Sequence, residues 1–255
     1  MSLGSDLPHG FRCLRLEEAT STNDVACGLA ERGEAAGLFV VAERQTAGRG
    51  RLGRIWQSPP GNLYASLILR PDRHSLAEAS TLSLVAALAL AEAVELLSAG
   101  AVSPRMKWPN DVLIAGAKTA GILLEGNADA TGRCAWLVIG IGVNVRWSPP
   151  EEAVPYPVTR LAAQPGLGDI EPMLLLHALT GPLRQRLAAW EEGGFAALRA
   201  AWLARAHRLG AVVEFKVGSG IIQGRFVDVD GTGAIHLERA PGGIERFTAG
   251  EIVLG

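Results

Sequence analysis

The stretch that distinguishes a Rossmann fold from a sheet with a loop between strands is Gly48-Arg49-Gly50-Arg51-Leu52-Gly53-Arg54-Ile55-Trp56-Gln57-Ser58-Pro59-Pro60-Gly61. Its first six residues satisfy the GxGxxG pattern and follow an apolar segment, Leu38–Ala42, that is predicted to be a buried strand. In a dinucleotide-binding unit the last glycine opens a helix whose N-terminus holds the pyrophosphate. Here two prolines and a glycine follow within eight residues and forbid a helix of useful length. Because the next apolar segment, Leu63–Leu69, also reads as a strand, the stretch is a loop between strands, which argues against a Rossmann fold.

The composition of this loop points to binding of anions. Glycines let a backbone approach a ligand closely, and Arg49, Arg51 and Arg54 supply planar, permanently charged donors suited to carboxylate and phosphate oxygens. A solvated basic loop, or an arginine-rich contact to nucleic acid, is the alternative. The formal net charge of −2 gives no overall attraction to nucleic acid. Trp56 offers a stacking surface, for instance for an adenine, or is a core residue.

Further elements are predicted on both sides of the loop. Thr22-Asn23-Asp24 has N-cap chemistry and predicts a short helix that stops at Gly33. Ser75–Ser98, rich in alanine and leucine, predicts one long helix that ends at Gly100. The other predicted elements are a hairpin of Val112–Ala115 and Thr119–Glu125, a strand Ala135–Val145, a loop Ser148–Gly168 and helices Pro172–Trp190 and Phe195–His207.

The composition changes after Gly210. Short apolar runs are separated by turn signals such as Asp230-Gly231 and Pro241-Gly242-Gly243. This spacing predicts a small β-barrel of about five short strands. We therefore expect two domains, residues 1–209 and residues 210–255.

A second candidate site surrounds Lys118, where the predicted hairpin turn passes into an apolar strand. A lysine there either faces solvent, its usual fate, or holds an ammonium near an anionic reaction centre. Asn110 and Asp111, in the preceding turn, are oxygen donors that could orient a ribose or hold magnesium, or could simply cap the turn.

Bulk composition narrows the class of protein. Of the 255 residues 48% are hydrophobic and 20% are charged, enough for a substantial core. The three cysteines include no CxxC pair, which argues against a disulfide framework or a zinc site and favours a reducing compartment. No signal peptide is evident, and the longest apolar stretch, Leu82–Ala91, is too short to span a bilayer. We expect a cytoplasmic protein that does not associate with membranes.

Taken together, these motifs resemble the biotin–protein ligases. The resemblance covers residues 16 to 145 well and the remainder in outline. The matching blocks follow the family's order: Ser21-Thr22-Asn23, Gln45–Arg54, Trp56, Ser58–Tyr64, Lys107–Asp111, Lys118–Glu125 and Ile139–Asn144.

The resemblance implies roles for individual residues. Lys118, Arg49 and Arg51 would be catalytic, with Lys118 the main cation at the carboxylate and α-phosphate. The residues implied to bind biotin are Ser21, Thr22, Asn23, Gln45, Gly48, Arg49, Lys118, Gly121 and Leu123. The residues implied to bind the nucleotide are Arg51, Arg54, Trp56, Asn110, Asp111 and Asn144.

The resemblance also implies an α+β fold. It would be a mixed, mostly antiparallel sheet with flanking helices, similar to class II synthetases, followed by a small SH3-like barrel. The implied reaction is ATP-dependent ligation of biotin to a lysine of a biotin carboxyl carrier protein or carboxylase biotin domain, through biotinoyl-5'-AMP, with Mg²⁺ accompanying ATP. Lipoate–protein ligases share this fold and chemistry, but the dense arginine loop and the Lys107–Asp111 block favour biotin.

Some members of the family carry an N-terminal DNA-binding domain. Only about 20 residues precede Ser21 here, too few for a three-helix DNA-reading module. We therefore expect a ligase that does not bind DNA. An exposed sheet edge makes a homodimer a reasonable expectation.

Overall fold

A computed structural model describes residues 2–4 and 7–254 and shows two sheets. The larger has eight strands in the order β1-β2-β3-β4-β8-β7-β6-β5, and only β2 and β3 pair in parallel. The strands are β1 Ser2–Gly4, β2 Arg12–Ala19, β3 Leu38–Gln45, β4 Leu63–Leu69, β5 Arg105–Lys107, β6 Asp111–Ile114, β7 Ala117–Ala128 and β8 Cys134–Val143. This confirms the predicted mixed, mostly antiparallel sheet.

Helices cover both faces of this sheet. They are α1 Thr22–Glu31, α2 Leu76–Ala79, α3 Leu82–Leu97, α4 Pro172–Gly193 and α5 Arg199–Leu203. Successive residues of a strand point to opposite faces, so Val40 packs in a small cluster with α1 whereas Phe39 and Val41 join the main core. By length and composition one helical stretch, Leu76–Leu97, could cross a membrane, but 67% of its most apolar window is buried inside the protein.

Two helix predictions were wrong. Ser75–Ser98 is not continuous, because α2 ends at Ala79 and α3 begins at Leu82. At the break, Thr81 donates its hydroxyl to the carbonyl of Glu78 and accepts a hydrogen bond from the indole of Trp190. Hydroxyl bonds of this kind compete with regular helical bonding. The predicted helix Phe195–His207 is reduced to a 3₁₀ turn, Phe195–Ala197, and the short α5.

The sequence analysis missed β2, Arg12–Ala19, which pairs in parallel with β3 through the crossover helix α1. Charged residues interrupt the apolar pattern of β2, so its composition resembles a surface loop. The strand nevertheless sets the position of the site, because it delivers the chain to Ser21 and to the first turn of α1.

A five-stranded antiparallel sheet follows, in the order β12-β11-β10-β9-β13. Its strands are β9 Val212–Val217, β10 Gly220–Val229, β11 Ile235–Glu238, β12 Ile244–Phe247 and β13 Glu251–Ile252. Two side chains of the larger unit bond to its backbone: the indole of Trp108 donates to Gly233 O at 2.9 Å, and Lys107 Nζ donates to Ile252 O at 2.9 Å. The smaller sheet is therefore docked directly behind the predicted Lys107–Asp111 motif.

Candidate active site

One pocket gathers most of the predicted site residues. Its floor is formed by β7 and β8, and its walls by the start of α1, the glycine-arginine loop and Tyr156. The predicted residues that line it are Ser21, Thr22, Asn23, Gln45, Arg49, Arg51, Arg54, Trp56, Asn110, Asp111, Lys118, Gly121 and Leu123. Gly48 and Asn144 do not line this pocket.

Gln45 organises one end of the pocket. Its Oε1 atom accepts hydrogen bonds from the backbone N–H of Thr22 at 2.8 Å and from the Thr22 hydroxyl at 3.1 Å, and its Nε2 atom donates to Ser58 Oγ at 2.9 Å. Ser66 Oγ lies 2.8 Å from Thr22 Oγ1. This end is a fixed set of amide and hydroxyl groups that suits a neutral, amide-like ligand group.

Arg49 lies beside this end and is held by carboxylates. It forms ion pairs with Asp24 and with Glu125, the latter at 3.1 Å. Glu125 also accepts from Asn23 Nδ2 at 2.8 Å, and Asn23 Oδ1 accepts from Ser66 at 2.6 Å. Because both ends of the Asn23 amide are bonded within the protein, this residue orients its neighbours as well as lining the pocket.

Glycines make room for the side chains that pack over the floor. A Cβ atom at Gly140 would overlap the amide of Asn23, and one at Gly142 would come within 2.8 Å of the Trp56 indole. Gly48 begins the glycine-arginine loop and packs against its far end, where a Cβ would overlap Ser58 Oγ and the carbonyl of Trp56. The structure thus gives Gly48 a packing reason to be glycine without placing it in the pocket lining.

The cationic centre is Lys118. Its Nζ atom lies 2.8 Å from Asp111 Oδ1, and Lys107 Nζ lies 3.0 Å from Asp111 Oδ2. Burial alone would raise the pKa of Asp111, but the two ammonium groups outweigh burial and hold it below its usual value. One carboxylate is therefore shared by two lysines, and the cluster carries a net positive charge at the pocket.

Regular strand geometry would not bring Lys118 into the pocket. Along β7, Gly121 and Leu123 line the pocket, whereas Ala120 and Ile122 are buried in the main core. Ile122 also borders the pocket. Strict alternation from Gly121 would turn the side chain of Lys118 toward the core.

A β-bulge changes this direction. Val112 pairs with Ala120 and Leu113 pairs with Lys118, so that Thr119 is an extra residue on β7. A bulge inserts one residue and reverses the alternation beyond it. Lys118 consequently faces the pocket, and Thr119 is buried with a hydroxyl that has no hydrogen-bond partner among the described residues.

Lys118 also borders a second cavity. This smaller cavity is lined by Ile55, Trp56, Gln57, Lys118, Asn144, Pro149, Val154, Tyr156 and Val158. Asn144 enters the site here: its Nδ2 atom donates to Thr159 O at 3.1 Å, and within residues 2–4 and 7–254 its Oδ1 atom has no bonded donor. The second cavity is a largely apolar slot with two amide side chains, Gln57 and Asn144, and it meets the main pocket at Lys118.

Two further arginines line the main pocket. Arg54 forms a two-point ion pair with Glu251 of β13, one contact being 2.8 Å, and this hydrogen bond lowers the pKa of Glu251. Arg51 donates to Asn110 Oδ1 at 3.3 Å, and burial lowers the pKa of its guanidinium. In the part of the chain that the structure describes, no carboxylate lies within 4.0 Å of Arg51, which leaves its charge available to an anion.

Comparisons with known sequence families and individual proteins all point to the same family. The sequence profile of the biotin/lipoate A/B protein ligase family matches residues 17–144, and that of the biotin protein ligase C-terminal domain matches residues 209–255. The chain is 40% identical over 94% of its length to the biotin–[acetyl-CoA-carboxylase] ligase of Paracoccus denitrificans, of which 99% is covered. It belongs to the biotin protein ligase family.

Other family members agree in sequence and structure. The bifunctional ligase/repressor BirA of Bacillus subtilis (strain 168) is 35% identical over 92% of this chain and 72% of its own. A biotin protein ligase from Aquifex aeolicus in complex with biotin and ATP superposes with a TM-score of 0.79 at 30% identity, covering 94% of this chain and 97% of its own. One from Leishmania major in complex with biotinyl-5-AMP gives 0.65 at 28% identity, covering 93% and 98%.

This ligase has pocket residues that the sequence motifs did not single out. Tyr156 and Glu251 are the most informative, because they come from a proline-rich loop and from the smaller sheet. Neither belongs to a periodic pattern near the motifs, so no local signal could have found them. Tyr64 was quoted only as part of a motif. Burial raises the pKa of its hydroxyl, which donates to Pro59 O at 2.7 Å.

Proposed function

We infer that the protein joins biotin to protein in an ATP-dependent reaction through biotinyl-5'-AMP. The observation that carries this conclusion is the position of Lys118, where a polar pocket and an apolar slot meet. Adenylation brings a carboxylate against an α-phosphate, and catalysis consists largely of positioning these anions and cancelling their repulsion with fixed positive groups. An ammonium between two ligand cavities is suited to that task.

In the proposed arrangement, the ring system of biotin lies at the Gln45 end of the pocket. Ser21, Thr22 and Asn23 border that end, and Gly121 and Leu123 form the floor below the acyl chain. The carboxylate then points to Lys118, with Arg49 beside it. Support comes from the fixed amide and hydroxyl groups of Gln45 and Thr22, which match the hydrogen-bonding groups of a cyclic urea.

The nucleotide is proposed to occupy the slot and the arginine side of the pocket. Trp56 offers its ring face and Asn144 its free Oδ1 atom to the adenine, while Asn110 and Asp111 lie toward the ribose. Arg51 and Arg54 are proposed to contact the phosphates. Arg51 is supported most directly, since its partly buried charge lacks a carboxylate partner among the described residues.

Magnesium is proposed to enter with ATP. In the described part of the chain, no group of three or more His, Cys, Asp or Glu side chains is arranged to hold a metal ion, and Asp111 is already paired with two lysines. Mg²⁺ commonly binds through phosphates, waters and one or two carboxylates. Mg²⁺ held by the phosphates and by water therefore fits, and it would neutralise part of the phosphate charge.

Two steps follow. The biotin carboxylate attacks the α-phosphate and pyrophosphate leaves, while Lys118 balances the charge of both anions. A neutral lysine amine of the acceptor then attacks the acyl carbon, and AMP leaves as the amide forms. The proposed acceptor is a biotin carboxyl carrier protein or carboxylase biotin domain, as the name of the Paracoccus relative suggests.

The remaining assignments are proposals about the whole chain. Residues 1–209 form the catalytic unit and residues 210–255 a barrel-like unit that completes the pocket through Glu251, supported by the start of β9 at Val212. The three free cysteines suit the cytoplasm. A homodimer is proposed to form through a sheet edge.

A mass measurement tests the function. The protein is incubated with ATP and Mg²⁺ and with either biotin or lipoate, and the acyl-AMP is identified by its mass. We expect biotinyl-AMP with biotin and at most a trace of acyl-AMP with lipoate. Pyrophosphate exchange into ATP should require biotin. Exchange without biotin, or acyl-AMP with lipoate alone, would contradict the proposal.

A further inference from the structure

Tyr156 lies against the catalytic cation. Its ring centroid is 5.4 Å from Lys118 Nζ, and the ring of Trp56 is 5.5 Å from the same atom. Asp111 contacts the ammonium at 2.8 Å. The Lys118 ammonium is thus bordered by one carboxylate and two aromatic rings, an arrangement that fixes its position without a second carboxylate.

The segment that carries Tyr156 is attached to Lys118 itself. We call residues 156–159 the strap. The backbone N–H of Lys118 donates to Pro157 O at 2.8 Å, and the backbone N–H of Thr159 donates to Lys118 O at 2.9 Å. These two bonds make a single parallel bridge between Lys118 and Val158. The position of the strap is therefore set by the backbone of Lys118.

A third contact fixes the far end of the strap. Asn144 Nδ2 donates to Thr159 O at 3.1 Å, and the backbone N–H of Asn144 donates to Thr119 O at 2.8 Å. Asn144, the residue that follows β8, therefore connects the strap to the bulged segment of β7. The bulge that aims Lys118 and the strap that covers it belong to one hydrogen-bonded unit.

On the basis of the proposed function, we propose that Tyr156 is a positioning residue for adenylation, holding the Lys118 ammonium at the junction of the two cavities through its ring face. The contact between Tyr156 and the ammonium is made by the ring, and the Tyr156 hydroxyl has no hydrogen bond to the residues that the structure describes, so the ring carries the effect. An ammonium over an aromatic face gains electrostatic stabilisation, and the ring removes one direction in which the flexible lysine chain could turn toward water.

The positioning role proposed for Tyr156 can be distinguished from simple binding of ATP by kinetics. A residue that only binds ATP changes its KM, whereas a residue that positions a transition-state cation changes the rate of the chemical step. Tyr156→Leu removes the ring face and should lower the single-turnover rate of biotinyl-AMP formation about tenfold. The KM for biotin should change less than threefold, and the KM for ATP, whose proposed slot Tyr156 also lines, should change less than the rate does. Tyr156→Phe keeps the ring and should stay within twofold of the wild type.

The decisive measurement combines Tyr156→Leu with Lys118→Ala. If Tyr156 acts through the ammonium, its replacement should lower the residual rate of Lys118→Ala less than twofold. Glu152→Ala, on the exposed turn before the strap, serves as the matched loop control and should retain the wild-type rate. Tyr156→Gln at this half-buried position repeats the measurement with a polar side chain and should give the same tenfold loss.

The outcomes separate the two proposals. If the wild type forms no biotinyl-AMP, the proposed function fails. If it does and Tyr156→Leu or Tyr156→Gln matches the wild-type rate, the inference about Tyr156 fails alone. A loss that is equally large in the Lys118→Ala background, or one confined to the KM for ATP, would also overturn it.

Discussion

At the scale of single residues, most charged side chains of the site are paired with carboxylates of the protein before any ligand arrives. Arg49 is held by Asp24 and Glu125, and Lys118 shares Asp111 with Lys107. An incoming carboxylate or phosphate must therefore compete with internal carboxylates. This competition favours ligands whose negative charges lie next to Arg49 and Lys118 over anions in general.

Replacing Lys118 should affect chemistry more than binding. Lys118→Ala should lower the single-turnover rate of biotinyl-AMP formation by about 100-fold, because its charge matters most as the α-phosphate is attacked. Biotin affinity, measured by calorimetry, should change less than threefold. Arg184→Ala, which removes an exposed cation on α4, is the matched control. An unchanged rate in Lys118→Ala would remove Lys118 from the catalytic residues.

Asp111 should link stability to pH. Its pKa is lowered in the folded state, so its ion pairs contribute stability above the unfolded pKa of about 4 and lose it as pH falls below that value. Asp111→Asn leaves the buried Lys107 and the half-buried Lys118 without their carboxylate and should cost about 3 kcal/mol at pH 7. Urea unfolding should show the difference from wild type shrinking as the pH falls below 4. A difference that is constant with pH would contradict the ion-pair account.

The residues of the site could be predicted from sequence to the extent that they lie in contiguous motifs. Lys118, Arg51 and Gln45 fall in such blocks and do line the pocket. Tyr156 and Glu251 reach it from distant segments, and their positions depend on how the strap and β13 pack. Tertiary contacts of that kind leave no local pattern.

At the scale of elements, one extra residue in β7 decides which side chain faces the ligand. The strands themselves were predictable, since Leu63–Leu69 is observed with the predicted bounds. The bulge was not, because Lys118-Thr119-Ala120 carries neither a glycine nor a proline to mark it. The break between α2 and α3 was missed for a similar reason: it depends on a bond from Trp190, far along the chain.

The bulge makes a specific prediction about Thr119. Deleting Thr119 restores regular alternation, turns Lys118 toward the core and should reduce biotinyl-AMP formation by at least 100-fold. Thr119→Val keeps the residue count and removes only a buried, unpartnered hydroxyl, so it should retain the wild-type rate and equal or greater stability. The comparison is made by the mass assay and urea unfolding. If the deletion variant is folded and as active as the wild type, the bulge does not aim Lys118.

The glycine-arginine loop is expected to keep biotinyl-AMP bound in the pocket. With three glycines between Gly48 and Gly53, it should be mobile without ligand and lose entropy on closing. Contacts from Arg51 to the adenylate would offset that loss and keep water out. Arg51→Gly should therefore still form biotinyl-AMP but release it at least tenfold faster, and released biotinyl-AMP should label lysines of bystander proteins. If the variant releases biotinyl-AMP no faster than wild type, Arg51 is not a retention residue.

At the scale of the whole molecule, the two sheets meet behind the Lys107–Asp111 motif. Trp108 packs its ring 5.6 Å from that of Phe215 and donates its indole N–H to Gly233 O. Composition predicted a separate all-β segment, and five strands are observed there. The docking contacts could not be predicted, because a tryptophan in a motif gives no sign of its partner more than 100 residues away.

Trp108→Phe tests how the sheets are joined. It keeps most of the apolar contact and removes the bond to Gly233 O, whose carbonyl is left without that donor. The free energy of unfolding should fall by about 1–2 kcal/mol. Urea unfolding measures this, and Trp147→Phe at a half-buried position is the control. An unchanged midpoint in Trp108→Phe would mean that this bond does not help to hold the sheets together.

The central position of β8 has a consequence for how the protein opens. β8 is paired along most of its length with β4 on one side and β7 on the other, and it carries the floor glycines Gly140 and Gly142. Amide protons in such a strand exchange with solvent only through large-scale unfolding, whereas those of surface loops exchange through local opening. In deuterium exchange the floor should therefore be among the last segments to take up label, and the loop from Gly48 to Gly61 among the first. Substrates would then bind to a pocket floor that is already formed, and only the loop from Gly48 to Gly61 would have to become ordered around them.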